Sequence, residues 1–139
     1  MIDIEKIIKR ATEIRENAEK IRRYASIPDS EFWADERNIL SVKHLLLESI
    51  EACGNICIHI SAKKILKAAS SFAECFENLA EAKVVDEDLA HRLRAMSRFR
   101  NILVHRYWDV TDEKILSYAR SNLGDFEDFL KSILRYLDL

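Results

Sequence analysis

Arg100, Asn101, His105 and Tyr107 stand close together in the stretch RFRNILVHRYW, residues 98–108, and each carries a side chain capable of chemistry. A guanidinium keeps its proton at any physiological pH and grips carboxylates or phosphates in a forked geometry. An imidazole exchanges a proton near neutrality, with an unperturbed pKa of about 6.5. Between Leu89 and Trp108 the chain holds five arginines (Arg92, Arg94, Arg98, Arg100, Arg106) and no acid, a local charge of +5 in a protein whose formal net charge is −2. That concentration suits a phosphate-bearing ligand, whereas the slightly acidic whole argues against a general nucleic-acid coat.

The element that must position these residues is a helix. At about 100° per residue, Leu89, Leu93, Met96, Leu103, Val104 and Tyr107 fall on one side, and Arg100 falls in the middle of that apolar stripe. A buried guanidinium requires an anionic partner or a wet cleft. Asn101 and His105, four residues apart, lie on the adjoining edge, and Arg94, Ser97 and Arg98 continue the polar strip. Arg100 and His105 diverge by about 140° on an ideal helix. A second copy of the helix, or a bend near His105, brings them to one point. Arg92, Arg94 and Arg106 also have a plain reading as solvated charges that complement the helix dipole, and His44, His59 and His91 read as structural histidines. Tyr107, on the stripe, has two readings: a core residue with its phenol at the rim, or a side chain whose hydroxyl is open at the mouth of the cleft.

The rest of the chain supplies the frame. With 139 residues, 48% hydrophobic and 33% charged, it has the length and balance of a single globular domain over residues 1–139. Two glycines and one proline are too few for the turns of a sandwich or barrel, so the expected class is all-α. Five segments have helical periodicity. The first covers 3–25, with Ile4, Ile7, Ile8, Ala11, Ile14, Ala18 and Ile21 on its stripe. A long second helix, capped by Asp29 or Ser30 after Pro28, reaches Lys67 and is expected to kink near Gly54. Ser71 and Glu74 form a capping box for a short third helix to Ala82. Asp86 caps the fourth, which carries the polar strip, and Thr111 starts the fifth, whose face runs through Ile115, Ala119, Leu123, Phe126, Leu130, Ile133 and Leu137. The expected architecture is an up-and-down bundle of four main helices and one short one.

Uninterrupted apolar runs stop at three or four residues and the N-terminal stretch lacks a signal-peptide core, so the expected location is the cytoplasm, without a membrane partner. Cys53, Cys57 and Cys75 are odd in number and sit on apolar faces, which reads as reduced core packing. No nearby His or Cys pair completes a four-ligand zinc site around Cys53 and Cys57, so no metal site is expected.

RNILVHRY fits the pattern R-x(4)-H-x-Y with a polar residue directly after the arginine, and it resembles the signature of the HEPN superfamily. ESIEACGNICIHI, SSFAECFENLAEAKVV and WDVTDEKI extend the likeness to the HepT-like branch over about residues 2–138. The resemblance implies a HEPN-like helical bundle that forms a homodimer and cuts RNA without a metal or other cofactor, as the toxin of a toxin–antitoxin pair. In that setting His105 acts as general base on a ribose 2′-hydroxyl or as acid to the leaving oxygen, Arg100 neutralises the phosphoryl oxygens, and Asn101 orients the histidine or the phosphate. Arg94 and Arg98 bind RNA phosphates alongside. The family's nucleotidyltransferase antitoxin transfers AMP to the motif tyrosine, here Tyr107. A second reading is non-enzymatic: the motif binds nucleotide or docks the nucleotidyltransferase.

Overall fold

The computed structural model describes residues 1–139, folded as seven α-helices without a strand. Helix α1 (Ile4–Ala25) starts where the Asp3 carboxylate accepts the Lys6 N–H at 3.1 Å and buries Ile7, Ala11, Ile14, Asn17 and Ile21. Asn17, a polar residue on that face, is satisfied by Glu48 at 2.8 Å. The expected stripe is narrower than its sequence suggests, because Ile8 is 48% exposed.

The second predicted helix divides into two. After Pro28 a single turn, α2 (Asp29–Phe32), inserts the fully buried Phe32 into the core, and the chain then breaks before α3 (Glu36–Ile60). Asp35 is the effective cap here, accepting the Arg37 N–H at 3.0 Å, while the Asn38 amide donates to the Phe32 carbonyl at 3.0 Å and closes the end of α2. Helix α3 passes through Gly54 without interruption. Its end lies at Ile60, where a π-helical turn, Ser61–Ile65, leads to Leu66 in left-handed conformation (φ 65°). The Ser61 hydroxyl satisfies this irregular exit by donating to the Lys67 carbonyl at 2.6 Å and accepting from Asn78 at 2.9 Å. The segment Glu36–Ile65 is long and apolar enough to meet a length-and-composition criterion for a membrane span, although no apolar run within it is long. Most of its apolar residues are buried against α1, α4 (Phe72–Glu81), α5 (Glu87–His105), α6 (Asp112–Ser121) and α7 (Gly124–Tyr136), with Leu40 and Ile58 left exposed, so α3 is the central rod of the bundle.

The predicted caps at Ser71, Asp86 and Thr111 each accept a backbone N–H of their helix, from Glu74, Leu89 and Lys114. The fifth predicted helix is broken at Asn122–Leu123 into α6 and α7, yet both halves bury the same side, with Ile115 and Ala119 in the first and Phe126, Leu130 and Ile133 in the second. All buried apolar side chains join one contiguous cluster. The three cysteines are free thiols within it, and burial pushes the Cys53 and Cys57 thiols well above the ordinary thiol range.

Candidate active site

The first half of α5 is buried in the core, and the second half meets it only through the partly buried Phe99 and Leu103. Leu89, Ala90, Leu93, Met96 and Ser97 are buried, whereas from Arg98 onward no residue of the helix is. The helix ends at His105, and the turn is closed by the Asp109 N–H to the Arg106 carbonyl (2.8 Å) and by the Arg106 guanidinium to the Asp109 carboxylate (2.8 Å). A short 3₁₀ turn, Tyr107–Asp109, follows. Tyr107 therefore leaves the helix stripe on which its sequence spacing placed it. It is 69% exposed, with its ring edge-to-face against the 68% exposed Trp108.

Arg100 finds the anion that its place on the stripe demands. Its Nε donates to Glu51 Oε1 on α3 at 2.6 Å, its Nη1 donates to the Asn101 side-chain oxygen at 3.2 Å, and its side chain is 23% exposed. The guanidinium carbon lies 4.9 Å from the centroid of the Phe72 ring, within cation–π range. Phe72 opens α4 just after the Ser71 cap, and its ring rests on Gly54: a Cβ there would lie 2.3 Å from the ring. The glycine thus provides a seat for the ring, the ring a platform for the arginine, and Glu51, one turn before Gly54 on α3, its counter-charge.

A cleft of about 480 Å³ opens between the end of α3, the start of α4 and the end of α5, lined by Arg100, Asn101 and His105 together with Ile58, Ser71 and Phe72. His105 is exposed and holds no hydrogen bond within the chain, so neither ring nitrogen is committed to an internal partner. Asn101 engages Arg100 through its oxygen, which leaves its amide protons free for an incoming acceptor.

Of the other arginines, Arg106 also lines this cleft, while Arg92, Arg94 and Arg98 lie outside it. Arg94, expected beside the phosphate, is tied to α4 by Glu77 and faces Glu87 at 3.8 Å, so its charge is spent within the chain and it does not line the cleft. The Arg94 guanidinium holds the Glu77 carboxyl below its usual range. Arg92 bonds to Asp125 and Asp128, both at 2.8 Å, and to Asp88, fastening α5 to α7 and raising its own pKa, chiefly through Asp125. Arg98 is exposed and unpaired, outside the cleft lining. Sequence spacing missed Glu51, Gly54 and Phe72. The available signal was an acid at position 51 within the apolar run that fills the middle of α3.

An all-α bundle presenting an Arg-x(4)-His pair at a helix end is the HEPN type of architecture. Residues 14–133 match the family described as ribonuclease HepT-like, and the chain belongs to that family. It is similar to the mRNA nuclease HepT of Shewanella oneidensis, with 31% identity over 83 residues, a stretch that spans 60% of this chain and 62% of that relative. Its fold matches that of the tri-AMPylated HEPN toxin of Shewanella oneidensis, solved in complex with its MNT antitoxin, at a TM-score of 0.84 and 28% identity over 97% of this chain and 99% of that one. YutE of Bacillus subtilis, described as a cytosolic protein of unknown function, shares the fold at a TM-score of 0.83 with 21% identity over 99% of this chain and 92% of that one.

Proposed function

We propose that this protein is the toxin of a toxin–antitoxin pair, a cytoplasmic, metal-independent RNA endonuclease whose cleft is completed in a homodimer and which is silenced when a nucleotidyltransferase antitoxin adds AMP to Tyr107. The observation that carries this reading is Arg100 fixed by Glu51 and Phe72 at the wall of the cleft that His105 also lines. His105 takes the proton of a ribose 2′-hydroxyl, whose oxygen attacks the adjoining phosphorus. The bond to the 5′ oxygen breaks as Arg100 and the Asn101 amide neutralise the growing charge on the phosphoryl oxygens. The leaving oxygen needs a proton in turn, and a second copy of the chain brings another His105. The products are a 2′,3′-cyclic phosphate and a 5′-hydroxyl end.

The similarity to an mRNA nuclease and to an AMP-modified toxin supports this assignment. One observation favours the non-enzymatic alternative: the charge of Arg100 already has a carboxylate partner in Glu51, as in a purely structural ion pair. The purified protein incubated with RNA, with and without a chelator, separates the two. Cleavage that survives chelation and is lost in His105→Ala supports the nuclease; cleavage by His105→Ala at the parent rate leaves docking as the motif's role. Light scattering at micromolar concentration tests the dimer, and a monomer there removes its basis.

A further inference from the structure

A cavity of about 760 Å³ lies away from the motif, in the groove between the last turns of α1 and the first turns of α3. Its floor is apolar, built from Tyr24, Ile27, Leu40 and Leu45, and Leu40 is 54% exposed. Lys20 and Arg23 stand on the α1 rim. Neither has a partner within the chain, whereas Arg15, Arg92, Arg94 and Arg120 each hold a carboxylate. Three acids of the neighbouring turns already have partners, Glu19 in Arg22, Asp35 in Arg37 and Glu48 in His44 and Asn17, so none of these answers the two cations. An apolar floor beneath unpaired cations is complementary to an acidic, amphipathic protein segment, received in the manner of a helix in a groove.

The place of the groove specifies which partner. Ser41, His44 and Leu45 face it, while Lys43 and Leu47, on the next face of the same turns of α3, line a small cavity together with Tyr107. One helix, about 10 Å across, separates a body seated in the groove from the exposed phenol. We infer that the groove between α1 and α3 is the docking surface for an acidic segment of the nucleotidyltransferase that modifies Tyr107, so that the transferase grips one face of α3 while it works beside the other. The inference rests on the toxin–antitoxin reading above. It assigns the two tasks of the partner, holding and modifying, to different surfaces.

The test uses the full-length protein and its co-encoded nucleotidyltransferase in titration calorimetry at two salt concentrations. The charge-reversed Lys20→Glu/Arg23→Glu double variant and, separately, Leu40→Asp should each raise the Kd at least tenfold, and the double variant should flatten the salt dependence of binding. AMP transfer to Tyr107 should slow at sub-saturating transferase, and RNA cleavage by the toxin alone should stay at the parent rate. Circular dichroism controls for folding, and Lys20→Arg/Arg23→Lys should bind like the parent. Variants that bind the transferase as tightly as the parent overturn the inference. So does a rise in KM for RNA with the complex intact, which would make the groove an RNA track. A parent protein that fails to bind the transferase at all refutes the pairing itself, a separate outcome visible before any variant is made.

Discussion

Glu51 Oε1 and Arg100 Nε are 2.6 Å apart, joined across 49 residues of sequence from the middle of α3 to the exposed half of α5. The pair fixes a guanidinium whose second edge remains available to an anion. Replacing Glu51 by Gln should keep the side chain's shape and weaken its hold, lowering RNA cleavage by on the order of tenfold as Arg100 loses its fixed orientation. Because both side chains are partly exposed, solvent screening limits the stability cost to about 1 kcal/mol or less. Cleavage assays paired with thermal melts check both numbers, and a Glu51→Gln protein of parental activity would rule out the positioning role.

Arg100→Ala and His105→Ala should each reduce cleavage by on the order of a hundredfold or more, since the proposed mechanism has each acting in the transition state. Both positions lie beyond the buried half of α5, so the far-ultraviolet circular dichroism of each variant should match the parent. A variant that loses activity only in proportion to lost helicity contradicts this division between core and site.

Gly54→Ala separates stability from function. The added methyl would occupy the space of the Phe72 ring, which must swing away and take the platform from Arg100. Alanine gains about 1 kcal/mol of helix propensity over glycine, against a repacking cost of roughly 1–3 kcal/mol. The net destabilisation is about 0–2 kcal/mol, so the melting temperature should fall by no more than several degrees while cleavage falls severalfold. Equal activity in parent and variant would show that the ring platform is dispensable.

Tyr107→Phe should remain active and fold normally, because the hydroxyl of this exposed residue holds no hydrogen bond within the chain. It should also escape AMP transfer, whereas the parent should gain multiples of an AMP mass on the peptide carrying Tyr107. An adduct at Tyr24, Tyr118 or Tyr136 instead would misplace the modification. Tyr118 is a poor competitor, with its ring stacked on Phe99 and its hydroxyl buried without a partner.

Acid should loosen the junction between the N-terminus and the end of α3. His59 Nε2 accepts the Asp3 N–H at 2.9 Å, which only the neutral imidazole can do, and burial together with the nearby Lys6 lowers its pKa below the ordinary 6.5. The unfolded chain therefore binds this proton more readily than the folded one. The associated stability is fully present above pH 6.5 and is lost as pH falls through the lowered folded-state value. Carboxylates with depressed values, Asp35, Glu74 and Glu77, add their own losses only below about pH 4.5. Melts of parent and His59→Ala across pH 7 to 5 should converge toward the acid end, and parallel curves would refute the linkage.

Local chemistry was the most legible part of the fold. Ser71, Asp86 and Thr111 announced three helix starts because an N-cap depends on a few neighbouring residues alone. The break at Asn122–Leu123 was invisible because Ala119, Leu123, Phe126 and Leu130 continue one helical period straight across it. At the site, the misfit of Arg100 on an apolar stripe foretold a carboxylate or a cleft, and the structure provides both, but nothing local could name Glu51 as the carboxylate. The core-packing reading of Tyr107 fails for a related reason, and the open one stands: the stripe runs on in sequence, whereas the Arg106–Asp109 closure ends the helix two residues before the tyrosine.

The burial of Cys53, Cys57 and Cys75 makes the folded protein chemically silent toward thiol reagents. A single cysteine introduced at an exposed position, Arg98→Cys for example, would take one dye per chain without removal of the native thiols, and two chains so labelled would report the spacing of their α5 helices by energy transfer. The same silence makes the native cysteines a clock. Any thiol reagent that reaches them does so only while the bundle is open, so the rate of labelling measures how often the resting protein breathes.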